Sequence, residues 1–576
     1  MAALLSAVTG VSASAQTTWT ELPVTDISAP TAQQASDAPV QQVAAAAWAP
    51  LQDTVANGGL PDVSQPGVSS ATTQPIGSEA ADLDSPGSLP FAGGAAGGPA
   101  GAFAPYQPSA TPAAGAGKAA KDKKAAATKK MKGAYKGLFY ANDFSYLNDP
   151  NYDGPYFLGD NLKGLAGGKL DIGGEARVRY HSERNIRGRV PGLRGTGASG
   201  LGLTRNDDDF FLTRLRLFAN YRLNETFRIY GEYLYADSGG EQFNNRPIEE
   251  NRGEIQNLFL DTKLTDNLIA RVGRQELLYG DQRLISPLDW ANTRRTFSGA
   301  RGLYKGENWD IDGFFVHPVA RNFANESKID DADEDQDFYG VYATRKGLDI
   351  GLVDFYYLGY DNQRVNFNYH TIGGRVSGKT DNDFLYVTEG GVQFGDNSPG
   401  LGDHGAGFYT SGLGRQLQLG DWKPTLWLWY DWASGEDDFN DVARGDDGFD
   451  HLFPLAHKYL GFMDLFGRRN IQDYNAQFIT PFFSSKVKLL LWYHYFRLDE
   501  LTTPYDVVMQ PYNTNTQAGD KELGHEIDVL FNVTLNPRNN MLIGYSHFNA
   551  GDYYDTTAGN PNNDADFFYL QYQTRF

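Results

Sequence analysis

The 576-residue sequence contains no cysteine, so disulfides, thiol nucleophiles and thiolate metal ligands are excluded. It contains no apolar run of eighteen residues, which excludes a membrane-spanning helix. Its net charge of −21 argues against general nucleic-acid binding. Neither a Gly-x-Ser-x-Gly elbow nor a His-Glu-x-x-His zinc motif is present, so we expect no enzyme activity. A membrane-embedded hydrolase stays as an alternative, because catalytic triads need no adjacency in sequence.

The first quarter of the chain is poor in large apolar side chains. Residues 1–15 end in Ala-Ser-Ala and predict a signal peptide, although no basic residue precedes the apolar stretch; the alternative is a disordered Ala-rich start. Residues 16–132 are rich in Ala, Gly, Pro, Ser and Thr. They cannot bury enough surface to offset chain entropy, so we predict a disordered linker. Its lysine-rich end at 118–132 suggests contact with a cell-wall polymer or secretion complex, with a solvated linker as the alternative.

Residues 133–168 contain too many aromatic side chains for a linker, as in Leu-Phe-Tyr-Ala-Asn-Asp-Phe-Ser-Tyr at 138–146. We predict that this pre-barrel segment is either a plug in a barrel mouth or an interfacial anchor.

The last twelve residues alternate in chemistry up to the terminal Phe576. Phe568, Leu570 and Tyr572 share one face with it, whereas Gln571 and the other polar residues face the opposite way. Outer-membrane β-barrels end on such a strand because its apolar face meets lipid. An edge strand of a β-sandwich gives a similar pattern, so this segment alone does not decide between the two.

Eighteen segments with a period of two follow residue 169, which fits a closed antiparallel barrel over 169–576. Short turns such as 265–266, 346–347 and 484–485 alternate with connections that are mostly long, such as 277–297 and 434–468. This alternation predicts short turns and both chain ends at one rim and long loops at the other, as in outer-membrane barrels. We expect Phe576 to end the closing strand beside Leu170. The predicted fold class is therefore all-β, a transmembrane antiparallel barrel in the bacterial outer membrane.

We predict the eighteen strand segments to start near residues 169, 209, 225, 252, 267, 298, 308, 337, 348, 367, 382, 404, 423, 469, 484, 525, 539 and 563.

Charged side chains occupy one face of several of these strands. A charge that faces lipid at mid-depth costs roughly 2–4 kcal/mol, so these faces must point into a polar lumen. The lumenal face of the first strand carries Arg177 and Arg179, and that of the second carries Arg214 and Arg216.

Two stretches resemble the alginate-export family of outer-membrane proteins. They are Gly-Arg-Gln-Glu-Leu-Leu-Tyr-Gly-Asp-Gln-Arg, which opens the segment 273–301, and Phe-Leu-Thr-Arg-Leu-Arg-Leu at 211–217. The resemblance covers about 169–576 and implies an eighteen-stranded monomeric pore for polyuronate, with arginines lining a constriction. The linker departs from the compact exporter pattern.

A pore for anions needs lumenal arginines, because guanidinium stays charged and pairs with carboxylate in a fork geometry. The alternative is that these arginines only pair with Asp171, Glu175, Glu232 and Asp261. Either Arg271 or Arg274 should face the lumen, because a strict strand points them oppositely. The candidate pore-lining or substrate-contacting residues are Arg177, Arg179, Arg214, Arg216, Arg228, Arg271, Arg274, Asp281, Arg283, Arg294, Arg295 and Arg301.

The 277–297 loop carries Leu284, Ile285, Leu288 and Trp290, which are apolar enough to require burial. We therefore predict that the loop folds inward and that its charged residues help to set the constriction. The acidic loop 330–337 is a candidate Ca²⁺ site, with a solvated acidic loop as the alternative; no other cofactor is expected.

The sequence thus predicts a passive outer-membrane channel for anionic solutes, in contact with outer-membrane lipid and with an anionic oligo- or polysaccharide as a candidate partner. The alternatives are a general diffusion porin for small solutes and a surface protein whose loops bind a partner.

Overall fold

The computed structural model describes residues 117–186, 203, 206–243, 245–321, 329–364, 366–397, 402–439, 447–555 and 564–576. The predicted signal peptide and the linker up to residue 116 lie outside the described residues. The end of the predicted linker is not disordered but forms helix α1, Gly117–Lys132. Alanine and lysine, both good helix formers, make up twelve of its sixteen residues.

The pre-barrel segment contains little regular structure. It has three single turns of 3₁₀ helix at Phe139–Ala141, Ser145–Asn148 and Asp160–Leu162, and a short helix α2 at Leu165–Gly168. Two further 3₁₀ turns lie in loops, at Ala456–Lys458 and Asp552–Tyr554. Within the described ranges, no helix combines the length and apolarity needed to cross a membrane.

Eighteen strands follow, as predicted, and every strand starts within three residues of its predicted position. In chain order they are β1 Leu170–Arg184, β2 Asp208–Arg222, β3 Phe227–Gly239, β4 Asn251–Lys263, β5 Leu268–Gln275, β6 Phe297–Lys305, β7 Trp309–Pro318, β8 Gln336–Leu348, β9 Gly351–Asn362, β10 Phe367–Lys379, β11 Phe384–Asp396, β12 Asp403–Gln416, β13 Thr425–Ala433, β14 Ile471–Phe482, β15 Ser484–Arg497, β16 Glu522–Asn536, β17 Asn539–Ala550 and β18 Ala565–Arg575.

Each strand pairs antiparallel with the next, and β1 pairs with β18, so the sheet closes into a barrel without a free edge. The predicted alternation of connections is present. At the rim that holds the chain ends, the links are short, and Phe483 alone joins β14 to β15 with a φ of 58°. The turn predicted at 484–485 is therefore one residue late. The opposite rim carries the long connections, including 276–296 and 434–470.

The strand faces also agree with the sequence pattern. The polar faces of β1 and β2 are buried inside the barrel, and the apolar faces are exposed on its outer surface. Val272 and Leu428, on opposite sides of the ring, are 60% and 56% exposed. A water-soluble sheet would not leave such a band uncovered, but a lipid-facing barrel requires one.

The barrel closes at a different position from the one predicted. The Phe576 amide donates to the Gly174 carbonyl at 3.0 Å, and the Gly174 amide donates to the Phe576 carbonyl at 2.8 Å. Phe576 therefore lies four residues further along β1 than Leu170. The strands of a closed barrel are staggered, so their ends do not lie level, and Leu170 pairs with Tyr221 of β2 instead.

We predict that Gly174→Ala destabilises the barrel at this closure. A Cβ atom there would lie 2.3 Å from the Arg216 carbonyl oxygen, so the backbone has to move. Overpacking of this kind costs about 1–3 kcal/mol. The loss of the folded form on heating, followed by gel mobility, should occur at a lower temperature than in wild type. Gly405→Ala is the matched control, because its Cβ would meet nothing within 4 Å; equal effects of the two substitutions would contradict this account.

Candidate pore constriction

Four arginines of β1 and β2 form a cluster on the inner wall, which we call the arginine wall: Arg177, Arg179, Arg214 and Arg216. Alternation along each strand turns all four side chains inward, and all four are buried. The β1–β2 register places Arg177 directly opposite Arg214. Like charges in opposed positions repel, so this wall is stable only if other groups compensate for the charge.

The loop 276–296 supplies most of these compensating groups, and we call it the bridging loop. Arg177 donates to the main-chain carbonyls of Asp289 and Ala291, each at 2.8 Å. Arg214 donates to the Asp289 carboxylate at 2.9 Å and to Glu175 of β1 at 2.7 Å. Three carbonyls in a row, from Asp289 to Ala291, therefore face the arginine wall.

The other end of the bridging loop reaches the far side of the barrel. The Asp281 carboxylate pairs with Arg375 of β10 at 3.3 Å, and Arg283 pairs with Glu389 of β11 at 3.2 Å. In a ring of eighteen strands, β10 and β11 lie nine places from β1 and β2, which is diametrically opposite. A single loop thus crosses the whole interior, and the prediction that it folds inward is confirmed.

Apolar side chains hold the bridging loop in this position. Leu284, Ile285, Leu288 and Trp290 are all buried, in one cluster with residues of the 434–470 loop. The two loops also bond through their main chains, because the Phe453 amide donates to the Leu284 carbonyl at 2.9 Å.

Trp290 joins this apolar cluster to the arginine wall. The guanidinium of Arg179 lies 3.3 Å from the centre of the Trp290 ring, and the His457 ring stacks on it at 4.4 Å. An arginine over an indole face is attracted by the ring quadrupole, so this contact helps to hold a buried charge.

The structure places the other predicted residues at four further points of the interior. Arg228 and Arg271 share the carboxylate of Asp261, at 2.5 and 2.7 Å. Arg301 pairs with Asp312 at 2.5 Å. Of the two arginines of β5, one of which should face the lumen, Arg271 is fully buried inside the barrel. Arg274 instead pairs with Glu254 of β4. The two arginines at the end of the bridging loop differ: Arg294 pairs with Glu276 and Asp289, whereas Arg295 donates to the carbonyls of Ser286 and Pro454.

Ion pairing is thus far more extensive than an open arginine-lined pore implies. All four acidic residues named as alternative partners bind an arginine, including Glu232 to Arg216 at 2.6 Å and Asp171 to Arg222 at 2.8 Å. Burial raises the pKa of Asp289, but the charges of Arg294, Arg214 and Arg177 outweigh burial and hold that pKa well below its usual value. Asp289 is therefore ionised.

The charges around the arginine wall do not balance. The wall, Arg294 and Arg575, which pairs with Glu175, contribute six positive charges, and the carboxylates in contact with them contribute four negative charges: Glu175, Glu232, Glu276 and Asp289. Six minus four leaves an excess of two positive charges. Its source is Arg177 and Arg179, whose guanidinium groups donate to carbonyl and amide oxygens, as Arg179 does to Gln571 at 2.7 Å.

Sequence reasoning missed the far anchor of the bridging loop. Arg375 also bonds Asp354 of β9 at 2.7 Å, which fixes it for its contact with Asp281. The strand period places Arg375 on the inner face of β10, but nothing in the sequence pairs that strand with residue 281. The missing information is which strand lies opposite the loop, which depends on barrel closure.

Two further stretches of the sequence have patterns that occur in ligand sites of other proteins. The string 373–380 matches a phosphate-loop pattern, but it lies in β10 between β9 and β11, and no helix follows it as a phosphate loop requires. In the acidic loop, Asp333 and Asp335 pair with Arg364 at 2.6 and 3.1 Å. The described residues contain no group of three or more His, Asp or Glu side chains suited to a metal ion, and the Ca²⁺ site stays a prediction.

A family model described as alginate export matches residues 169–568, which cover the barrel except for the end of β18. The chain belongs to the alginate export family. This bacterial outer-membrane channel is therefore a member of a transport family, which points away from an enzyme.

Solved porins resemble this alginate export family channel only distantly. OccD3 of Pseudomonas aeruginosa is 12% identical, with 70% of this chain and 91% of that chain covered and a TM-score of 0.44. OccK8 of the same organism is 12% identical, with 71% and 98% covered and a TM-score of 0.48. A BenF-like porin of Pseudomonas fluorescens Pf-5 is 13% identical, with 71% and 98% covered and a TM-score of 0.47. No curated protein matches the chain.

We predict that Trp290→Ala increases the single-channel conductance of this family member. The substitution removes the ring that fills the space between Arg179 and His457 and loosens the bridging loop. Deletion of 279–295 should increase conductance further. Planar-bilayer recording measures both variants. Trp309→Ala is the matched control, because Trp309 lies on the outer face and is 36% exposed. Conductance equal to wild type in both loop variants would refute the constriction.

Proposed function

We propose that this alginate export family channel passes anionic solutes, among them polyuronate chains, along its arginine wall. The observation that carries the proposal is the excess positive charge at Arg177 and Arg179, located where the bridging loop narrows the interior. Rings or clusters of arginine select anions in pores by the same electrostatic principle.

Transport needs binding that is strong enough to admit a carboxylate and weak enough to release it. Arg177 and Arg179 satisfy this condition, because their present acceptors are neutral oxygens of the loop and of Gln571. A substrate carboxylate forms a charge-assisted bond to guanidinium that is roughly twice as strong as a neutral one. It can therefore replace a loop carbonyl without separating an existing ion pair.

Neighbouring arginines give the carboxylate further positions. Arg214, opposite Arg177, already contacts two carboxylates, Glu175 and Asp289, and can exchange one acceptor for another. Below the wall, Arg228 and Arg271 share the single carboxylate of Asp261. A polyanion with regularly spaced carboxylates would pass from one of these groups to the next.

A general diffusion porin is the second candidate. The observation that favours it is the balance of charge on the side of the interior opposite the arginine wall. Four basic residues there contact four acidic ones, namely Arg283, Arg375, Lys458 and Arg468 with Asp281, Asp354, Glu389 and Asp431. Small solutes of either charge could pass along that side.

The outer surface supports contact with outer-membrane lipid around the whole barrel. Exposed apolar residues occur on strands spread around the ring, from Val178 of β1 to Leu570 of β18. Because this band covers the circumference, we propose that the channel acts as a monomer.

We predict that Arg177→Gln with Arg179→Gln reduces anion preference. The double substitution leaves four arginines against four carboxylates and so removes the excess of two positive charges. The permeability ratio of anion to cation, obtained from the reversal potential in a KCl gradient, should fall by roughly threefold or more. Exchange of Arg214 and Arg216 for Glu should move it in the same direction.

The matched control is Arg345→Gln with Arg415→Gln. It removes the same charge near the short-turn rim, outside the interior, where Arg345 donates to Asn308 and Arg415 stacks on Phe384. An unaltered reversal potential in the wall variant would count against the arginine wall. An equal shift in the control variant would show a surface effect only.

We further predict that an oligouronate blocks the wild-type current and that a neutral oligosaccharide of equal length does not. The block should be weaker in the Arg177→Gln, Arg179→Gln variant, because carboxylate binding is lost there. Cation selectivity without block would reject the polyanion proposal and favour the general porin.

A further inference from the structure

Residues 133–157, which we call the inner-mouth segment, lie at the short-turn rim, and their aromatic side chains up to Tyr146 are buried inside the barrel. Phe139 and Phe144 pack against Phe218 of β2, and Tyr140 packs against Tyr230 of β3 and Phe259 of β4. These rings form a buried cluster of their own, separate from the one around the bridging loop. The segment therefore fills part of the inner mouth on the same side as the arginine wall.

The inner-mouth segment contacts the lumenal arginines directly. The Arg216 guanidinium lies 3.8 Å from the centre of the Phe139 ring, and Arg271 lies 4.3 Å from that of Tyr140. Arg228 donates to the Tyr140 carbonyl at 2.8 Å. Aromatic faces and a carbonyl thus occupy positions at which these guanidinium groups could bind a carboxylate.

The same segment touches the bridging loop and the opposite edge of the mouth. The Tyr140 hydroxyl donates to the Glu276 carbonyl at 2.9 Å, and Arg294 donates to the Gly137 carbonyl at 3.4 Å. On the other edge, Arg538 of the β16–β17 turn donates to the Tyr146 hydroxyl at 2.8 Å. The segment therefore spans the mouth directly below the constriction.

The inner-mouth segment takes no part in the strand pairing of the barrel. The segment adds no strand to the barrel, since the sheet closes through β1 and β18 without it. Its own regular structure is limited to the turns Phe139–Ala141 and Ser145–Asn148. Between it and β1, Gly159 and Gly164 adopt left-handed backbone angles with φ of 85° and 67°, which glycine adopts without strain. Rotation at these glycines would let the segment leave the mouth while every strand stays paired.

We propose that the inner-mouth segment is an autoinhibitory plug, and that an anionic polymer arriving from the short-turn side displaces it by taking over Arg216, Arg228 and Arg271. The displacement rests on the proposed function, whereas occlusion of the mouth does not. Each of these arginines already pairs with a carboxylate of the barrel, Glu232 or Asp261, and the plug contacts the same guanidinium groups through ring faces and a neutral carbonyl. A polymer carboxylate in place of the plug would form stronger charge-assisted bonds there. The channel thus stays narrow until a polyanion is present at its inner mouth.

The test is single-channel recording of the full chain with Phe139→Ala and Tyr140→Ala together. Loss of both rings should free the mouth and increase the KCl conductance by at least about twofold. Tyr156→Ala is the matched control, because Tyr156 lies in the same segment but is 71% exposed; it should conduct like wild type. Wild-type conductance in the double variant would overturn the plug.

A second variant tests the same idea with the plug residues intact. A Cβ on Gly137 would lie 3.8 Å from Leu278 Cδ1, so Gly137→Cys with Leu278→Cys places two thiols together in a chain that has no other cysteine. Oxidation should hold the plug in place and prevent an oligouronate added at the short-turn side from changing the conductance. Reduction should restore that response. Identical responses in both states would overturn displacement.

These readouts separate the plug from the proposed function. Increased KCl conductance of the Phe139→Ala, Tyr140→Ala variant without anion preference would support the plug and refute the polyanion channel. Anion preference with unchanged conductance would support the channel and refute the plug.

Discussion

The structure depends on one loop that crosses the barrel. Residues 276–296 connect the arginines of β1 and β2 with Arg375 and Glu389 on the opposite wall, nine strands away. A buried charge costs several kcal/mol unless polar partners surround it, and breaking one buried pair costs about 3–5 kcal/mol. The loop provides those partners with its carbonyls and with Asp289. In return, the arginines fix the position of the loop, so the loop and the charge of the wall form one unit.

The charge distribution around the interior is uneven. The wall from β1 to β5 is rich in arginine, whereas β14 to β16 carry Asp473, Glu526 and Asp528, with His494 between two of them at 2.8 and 3.8 Å. An anion that passed through the interior would be attracted to the first side. The net charge of −21 for the whole chain therefore says little about the charge inside the barrel, because it adds the interior to all other parts of the chain. The inner-mouth segment covers the arginine-rich side, which is where control of a polyanion would act.

Much of the fold follows from the sequence, because a strand that faces lipid on one side and a polar interior on the other must alternate. That constraint located all eighteen strand starts to within three residues and turned Arg177, Arg179, Arg214 and Arg216 inward. It also indicated the inward fold of the bridging loop, from the apolar side chains in a polar connection. It could not show that Asp281 reaches Arg375, or that Phe576 pairs with Gly174 rather than Leu170, because both depend on barrel closure and stagger. The sequence does not predict helix α1, because the composition of its neighbourhood is typical of a linker, although alanine and lysine favour a helix.

The most direct test of the central claim is a crystal structure of the wild-type channel with a bound oligouronate. The account predicts that the loop 276–296 crosses the interior and that a uronate carboxylate lies about 3 Å from the guanidinium of Arg177 or Arg179. A loop that stands away from the arginine wall, or an oligouronate bound only to the long loops outside the barrel, would contradict it.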